Sequence, residues 1–357
     1  MGTTVVEVVK AKNMKMKPED DKLGFGKYFT DHMFVMDYSI ETGWAHPRIT
    51  PYEPITLDPA AVIFHYGQTV FEGLKAYRSN DGRILLFRPD KNMQRMNQSC
   101  ERLSMPVINE EEVLDYLKQL INLEKDWVPE AEGTSLYIRP FIIATEPFLG
   151  LAASKQYKLV VILSPVGSYY PQGIFPVDIK VEEQYTRAVR GGTGTAKTAG
   201  NYCATFNAQS NAAKEGFSQV LWLDAIEKKY IEEVGTSNVF FKVNGEVITP
   251  ELSGSILPGI TRMSVIEMLR NWGIPVSERK ISIEEVYQYH QKGMLEEVFC
   301  TGTAAVISPV GAFEWRGNKI EINQKQIGDV SQKLYDTLTG IQTGKLSDPF
   351  HWTTEVK

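Results

Sequence analysis

Apolar positions recur along this chain at two periods, two and about three and a half, and the period changes often. Residues 1–50 are polar and weakly periodic, which predicts an N-terminal arm that packs late. AVIFHYGQTVFEG (61–73) reads as a strand entering a turn, and GRILLFRPD (82–90) as a second strand. Asp90 is placed to cap a helix carrying Met93, Met96, Cys100 and Leu103 on one face. Arg95 lies off that stripe, on the polar side. A second helix over about 110–124 has Val113, Leu117, Leu120 and Ile121 as its core face. The apolar strands SLYIRPFIIAT (135–145) and YKLVVILSPV (157–166) follow. Strands and helices in mixed order predict a small α+β domain over 1–166.

GSYYPQGIFPVD (167–178) gathers glycine, proline and aromatic residues and reads as an interdomain linker. A large domain over 179–357 then carries a helix near 202–215 and the strands FSQVLWLDA (217–225) and SNVFFKVNGEVIT (237–249). Asn244-Gly245 supplies a hairpin turn of the kind that tolerates positive φ. Helices at about 259–272, 282–292 and 327–341 are interrupted by EEVFCTGTAAVISPVG (296–311). Strand and helix do not strictly alternate, so no doubly wound sheet is indicated.

Length sharpens the division, because 357 residues exceed the usual size of one core. A composition 43% hydrophobic and 23% charged is that of an ordinary globular protein. The net charge of −6 leaves no basic excess for a nucleic-acid surface. Cys100, Cys203 and Cys300 are odd in number and far apart, which points away from disulfides and zinc and towards a reducing compartment. The N-terminus lacks an apolar signal core, and Val6 stands where a myristoylation signal wants Ser or Thr. No apolar run approaches ~20 residues, so nothing spans a membrane and the expected location is the cytoplasm.

The chemistry gathers at GGTGTAKTAGNY (191–202), where Lys197 stands among residues too small to cover it. Such clearance suits a lysine against which a bulky planar group or a phosphate must sit. GSILPGITR (254–262) puts Gly259 before a helix whose first amides belong to Ile260 and Thr261, an arrangement that can bind an anion. CTGTAA (300–305) sets Thr303 in a tight turn after an apolar strand. Either turn alone is ordinarily just a turn, and the Glu pair of EEVGTSN (232–238) is ordinarily solvated. Two explanations compete for the lysine. GGTGTAKT is one residue from a nucleotide P-loop, which wants glycine at Ala196, and VLWLD ending at Asp224 resembles its acidic strand. A P-loop follows a buried apolar strand, however, and EEQYTRAVR (182–190) is broken by charges. A Schiff-base lysine instead requires a carboxylate, a ring-oxygen donor and anion binders. Lys197, Tyr202, Glu233, Ile260–Thr261 and Thr303 supply each of these.

The order GGxGxxKxxGNY, EVGTSN, LPGITR, GTAA closely resembles the branched-chain amino acid aminotransferases, pyridoxal-phosphate enzymes of fold type IV. The resemblance extends to FHYGQTVFEGLKAY (64–77), RPDKNMQRM (88–96), SLYIRP (135–140) and VLWLD (220–224), covering nearly the whole chain beyond the N-terminal arm. It looks most like the larger, eukaryotic-type branch. It implies a two-domain α+β fold and a homodimer whose small domain completes the partner's pocket, Leu149–Leu151 occupying the matching loop. Lys197 would hold pyridoxal 5'-phosphate and move the substrate proton. Glu233 would pair with the pyridinium nitrogen; at a dielectric of ~20 and ~4 Å such charges attract by about 4 kcal/mol. Of the two neighbours the motif selects Glu233, leaving Glu232 solvated. Tyr202 would donate to the ring oxygen. Arg95, Ile260, Thr261 and Thr303 would hold the phosphate, with Thr236 completing the cofactor site.

The resemblance also implies transfer from L-leucine, L-isoleucine or L-valine to 2-oxoglutarate, with no nucleic-acid or membrane partner. Tyr66, Phe71 and Tyr169 would wall the apolar side of the pocket. Arg139, with Tyr137 and Tyr66, would meet the γ-carboxylate, and the Thr303–Ala304 turn the α-carboxylate. One departure is plain. Mammalian relatives carry a Cys-x-x-Cys pair after the GTA turn, where this chain has Ala305 and Ser308, so that thiol regulation is not expected. A D-amino acid aminotransferase of the same fold is the alternative, disfavoured by SLYIRP and EVGTSN.

Overall fold

The computed structural model describes residues 6–168 and 173–357. The chain divides into two compact units. One comprises Met1–Pro171, Ala196–Ala199 and Gly340–Lys357; the other comprises Gln172–Thr195 and Gly200–Thr339. Mixed sheets with packed helices in each make the fold α+β, as its composition of elements implies.

In the first unit a nine-stranded sheet among the described residues runs in a fixed order. Its strands are Glu7–Val8, Gly43–Pro51, His32–Ser39, Gln156–Val166, Ser135–Ala144, Leu74–Arg78, Ile84–Phe87 and Thr353–Val356. Thr69–Phe71 pairs with Ser135–Ala144 beside this path. The 1–50 segment is therefore not merely a late-packing arm. His32–Ser39 lies inside the sheet, with Phe34 fully buried. Its stretch Met33–Met36 is apolar and buried on both faces of the strand, so it shows no alternation to read.

Val62–Tyr66 forms a short helix, α1, where a strand was expected; only Thr69–Phe71 of that stretch is extended. Pro89–Arg102 forms α2, and Asp90 does not cap it. The cap is Arg88, in the left-handed region, followed by Pro89, whose fixed φ is ready for a first helical turn. Met93, Met96 and Cys100 are fully buried as the spacing predicts. Glu110–Leu123 forms α3, capped by Asn109, whose side chain accepts from the Glu112 amide. Val113, Leu117, Leu120 and Ile121 face the core that α2 and α3 share with the sheet. Burial of one such Leu or Ile contributes about 2–5 kcal/mol against truncation to Ala.

The second unit carries its own nine-stranded sheet among the described residues. Ile231–Val234, Gln219–Leu223, Val177–Glu182, Val306–Trp315, Leu295–Gly302, Asn238–Val243, Glu246–Thr249 and Val276–Glu278 follow in that order, with Asn318–Glu321 beside Val306–Trp315. Asn244 and Gly245 make the expected hairpin turn with φ of 51° and 78°. The helix expected near 202–215 is interrupted, forming α4 (Ala199–Cys203) and α5 (Phe206–Lys214). Ile260–Asn271, Ile283–Gln291 and Asp329–Gln342 form α6, α7 and α8.

Candidate active site

In the first unit the segment Ala196–Ala199 is held against the strand Thr69–Phe71. Val70 and Thr198 form an antiparallel bridge, and the Phe71 amide donates to the Lys197 carbonyl at 3.0 Å. The Thr198 hydroxyl donates to the Thr69 carbonyl at 2.7 Å, while the Lys197 amide donates to Ser99 Oγ at 2.9 Å. These bonds fix the backbone of a lysine whose flanking residues have little side chain to anchor. Its Nζ lies 4.9 Å from the centre of the Phe71 ring. Burial of the amine, then the nearby Arg95 guanidinium, pull its pKa down to about 8 against the opposing pull of Glu72.

Arg95 is buried, not on a polar helix face. Its Nε and Nη2 each donate to Glu72 at 2.8 Å, and Asn92 adds a third donor to the same carboxylate. Burial works against ionised Glu72, yet Arg95, Lys197 and Asn92 outweigh it and hold its pKa below the usual range. Arg139 stands on the strand next to Phe71, with its guanidinium 4.8 Å from that ring. Its Nη2 donates to the Tyr137 hydroxyl at 2.9 Å. Lys197, Phe71, Arg95, Tyr137 and Arg139 thus share one neighbourhood, since Arg95, Tyr137 and Arg139 all act on the Lys197 amine. Tyr66, on α1, is 43% exposed, its hydroxyl donating to the Leu149 carbonyl at 2.5 Å. Tyr169 lies outside the described residues.

In the second unit both glutamates of the EEVGTSN motif are buried. Glu233 pairs across the sheet with Trp222, and a register shift beside that pair leaves Glu232 out of the ladder. A bulge of this kind re-aims a side chain. Glu233 meets the Arg187 guanidinium at 2.5 Å and accepts from Asn238 Nδ2 and the Leu257 amide, both at 3.1 Å. Glu232 is not solvated, contrary to expectation. It accepts from the Ser255 hydroxyl, and burial raises its pKa despite that bond. It also lines a separate cavity of about 120 Å³ with Arg190, Asp224, Ser253 and Lys280.

Asn238 also donates to the Leu257 carbonyl at 3.0 Å, tying the Glu233 carboxylate to the segment that enters α6. A Cβ at Gly259 would come within 2.0 Å of Asn238 Oδ1, so glycine is what allows this approach. No side chain caps α6, and its first turn holds no acid. By contrast, α3 and α7 have side-chain caps and acidic first turns. Ile260 and Thr261 open α6 and are buried. Tyr202 is half-buried on α4, Thr303 and Ala304 occupy the half-buried turn between two strands, and Thr236 is exposed at a hairpin tip.

Sequence reading did not find Glu72, Asn92, Arg187 or Asn238, which hold the other site residues in place. The one signal was charge: a buried Arg95 or Glu233 requires a partner, but its identity depends on long-range pairing.

The amino-transferase class IV family model matches residues 69–313. The chain is 64% identical to branched-chain-amino-acid aminotransferase 2 of Bacillus subtilis, across 100% of this chain and 98% of the relative. Among solved structures, the Escherichia coli branched-chain amino acid aminotransferase aligns with a TM-score of 0.76 and 26% identity, covering 92% of this chain and 99% of its own. The T.th. branched-chain amino acid aminotransferase with pyridoxamine 5'-phosphate aligns with a TM-score of 0.75 and 25% identity, covering 94% of this chain and 99% of its own.

Proposed function

The chain belongs to the class IV aminotransferases, among the branched-chain-amino-acid aminotransferases, and on that premise we propose how its residues divide the work. It is a transferase that uses pyridoxal 5'-phosphate. L-Leucine, L-isoleucine or L-valine gives up its amino group and 2-oxoglutarate receives it, reversibly. In this ping-pong transfer both partners visit the same Lys197.

The donor set suits the cofactor. The uncapped, acid-free start of α6 matches a phosphate, and a buried lysine with pKa about 8 matches an aldehyde. When bound, the cofactor supplies an electron sink for the Cα–H bond of the amino acid. Lys197 would hold it covalently through Nζ, then take up and return the Cα proton at that same atom. Arg95, Ile260, Thr261 and Thr303 would bind its phosphate, and Glu233 its ring nitrogen. Tyr202 would donate to its ring oxygen, with Thr236 nearby in sequence to Glu233 completing the set. Glu72 orients Arg95, and Arg187 and Asn238 orient Glu233.

Phe71 and Tyr169 would wall the apolar side of the substrate, Arg139 and Tyr137 would take the γ-carboxylate, and Thr303 and Ala304 the α-carboxylate. Tyr66 would join the apolar wall, and the loop Leu149–Leu151, whose first carbonyl accepts from the Tyr66 hydroxyl, would complete the pocket of a second copy in a homodimer. The high exposure of Leu149 and Leu151 supports that role. Among the described residues no helix is long and apolar enough to cross a membrane, and we take the enzyme to work in the cytoplasm. The domain division proposed with it is 1–166 and 179–357 joined by 167–178; a sheet in each unit supports two domains, while Ala196–Ala199 and Gly340–Lys357, with the strand Thr353–Val356, group with the first.

The observation that carries this reading is the buried Lys197 amine with its lowered pKa beside Arg95. Borohydride treatment of the holoenzyme followed by peptide mass mapping tests it. The cofactor mass should sit on Lys197, leucine with 2-oxoglutarate should turn over, and D-alanine should not. Label on another lysine would overturn the assignment.

A further inference from the structure

Three buried polar residues of α2, Asn92, Arg95 and Ser99, stand three and four positions apart and so share one side of the helix. Met93, Met96 and Cys100 fill the neighbouring stripe and face the core. Asn92 and Arg95 both donate to Glu72. Ser99 is fully buried, and its hydroxyl donates to the Arg95 carbonyl one turn back at 2.9 Å. That bond is a common use of a serine inside a helix, and it leaves the oxygen's lone pairs free to accept. They accept from the Lys197 amide at 2.9 Å. The Lys197 carbonyl in turn accepts from the Phe71 amide at 3.0 Å, and Phe71 precedes Glu72 in the chain. The contacts therefore close a ring. It runs from Lys197 to Ser99, from Ser99 to Arg95, from Arg95 to Glu72, and through Phe71 back to Lys197. Every link lies within the first unit. An apolar residue at position 99 could neither accept from the lysine nor donate to the arginine.

We propose that Ser99 is a positioning residue, which ties the backbone of Lys197 to the helix that carries Arg95 and so keeps the amine in its dry setting. This rests on the reading of Lys197 as the cofactor lysine and of Arg95 as a phosphate ligand. A lysine amine rides on a flexible four-carbon stem, so it keeps its place only where its backbone does. The groups acting on this amine are Arg95 from α2, Glu72 from the segment after Thr69–Phe71, and Tyr137 and Arg139 from the strand Ser135–Ala144. Burial and the two guanidiniums favour its neutral form, whereas Glu72 and Tyr137 favour the charged one. Burial is the largest of these influences. A slack backbone lets the amine reach water and weakens it, so the neutral form then requires a higher pH.

Backbone hydrogen exchange of the holoenzyme, read by mass spectrometry, tests the tether. In Ser99→Ala the Lys197 amide should exchange about tenfold faster or more, while the amides of α3 keep their rates. Ser99→Thr retains a hydroxyl able to bond the carbonyl one turn back, and it should restore most of the protection. The second readout is the rate at which the full-length apoenzyme of each variant bonds pyridoxal 5'-phosphate, followed against pH. The unmodified protein should level off above about 8, and Ser99→Ala at a higher pH. Unchanged exchange at Lys197 or an unshifted pH profile in Ser99→Ala overturns the proposal, the second being what a purely structural serine would give. Borohydride labelling separates the two claims. Label on another lysine sinks the parent reading, whereas label on Lys197 with both readouts unchanged overturns the role of Ser99 alone. Should Ser99→Ala not fold, an open-chain exchange rate for the Lys197 amide in the unmodified holoenzyme overturns it equally.

Discussion

Buried charge is balanced differently in the two units. Near Lys197, burial, Arg95 and Arg139 act on the amine in one direction and the Glu72 carboxylate and Tyr137 in the other. The surplus of positive charge, added to burial, favours the neutral amine that attack on a carbonyl requires. On the strand Ile231–Val234 two adjacent glutamates meet opposite fates. Glu233 is gripped by a guanidinium and two N–H donors, whereas Glu232 takes a hydroxyl and has its pKa raised by burial. One unit holds a base ready to accept a proton; the other holds an anion ready to face a cation. The contrast teaches that burial sets the direction for Lys197 and Glu232, and that a close partner of opposite charge is what turns it round, as at Glu72.

The largest break in that comparison comes from Glu233→Gln, which removes the fixed anion and should lower kcat by about 10²–10³-fold. Glu232→Gln, one residue away, should change kcat by no more than a few-fold, and steady-state kinetics on the pair separates them. A large loss in Glu232→Gln would mean the bulge assigns the two carboxylates the other way round. Smaller in energy is the effect of Glu72→Gln, which strands the buried Arg95. Chemical denaturation should show about 3–5 kcal/mol less stability, and a loss under 1 kcal/mol would show that Arg95 does not need the pair.

The strongly amphipathic elements were legible because one face of each is buried. Met93, Met96 and Cys100 on α2, and Val113, Leu117 and Leu120 on α3, carry a spacing that only a helix explains. His32–Ser39 was not legible, because its run Met33–Met36 is buried on both faces, and α1 spans five residues, too few for a period to declare itself. Lys197 and Glu233 stood out through motif order. The burial of Arg95 and the bulge at Glu232 depend on residues far away in the chain: Glu72 in one case, Trp222 and Ser255 in the other. Local pattern holds no trace of such pairings.

The central claim is that the fold lowers the pKa of Lys197. The rate at which apoenzyme forms its covalent bond with pyridoxal 5'-phosphate, followed against pH by absorbance, tests it most directly. The neutral amine is the attacking form, so the rate should rise about tenfold per pH unit and level off above about 8. A rate still climbing towards 10.5, the ordinary lysine value, would contradict the account.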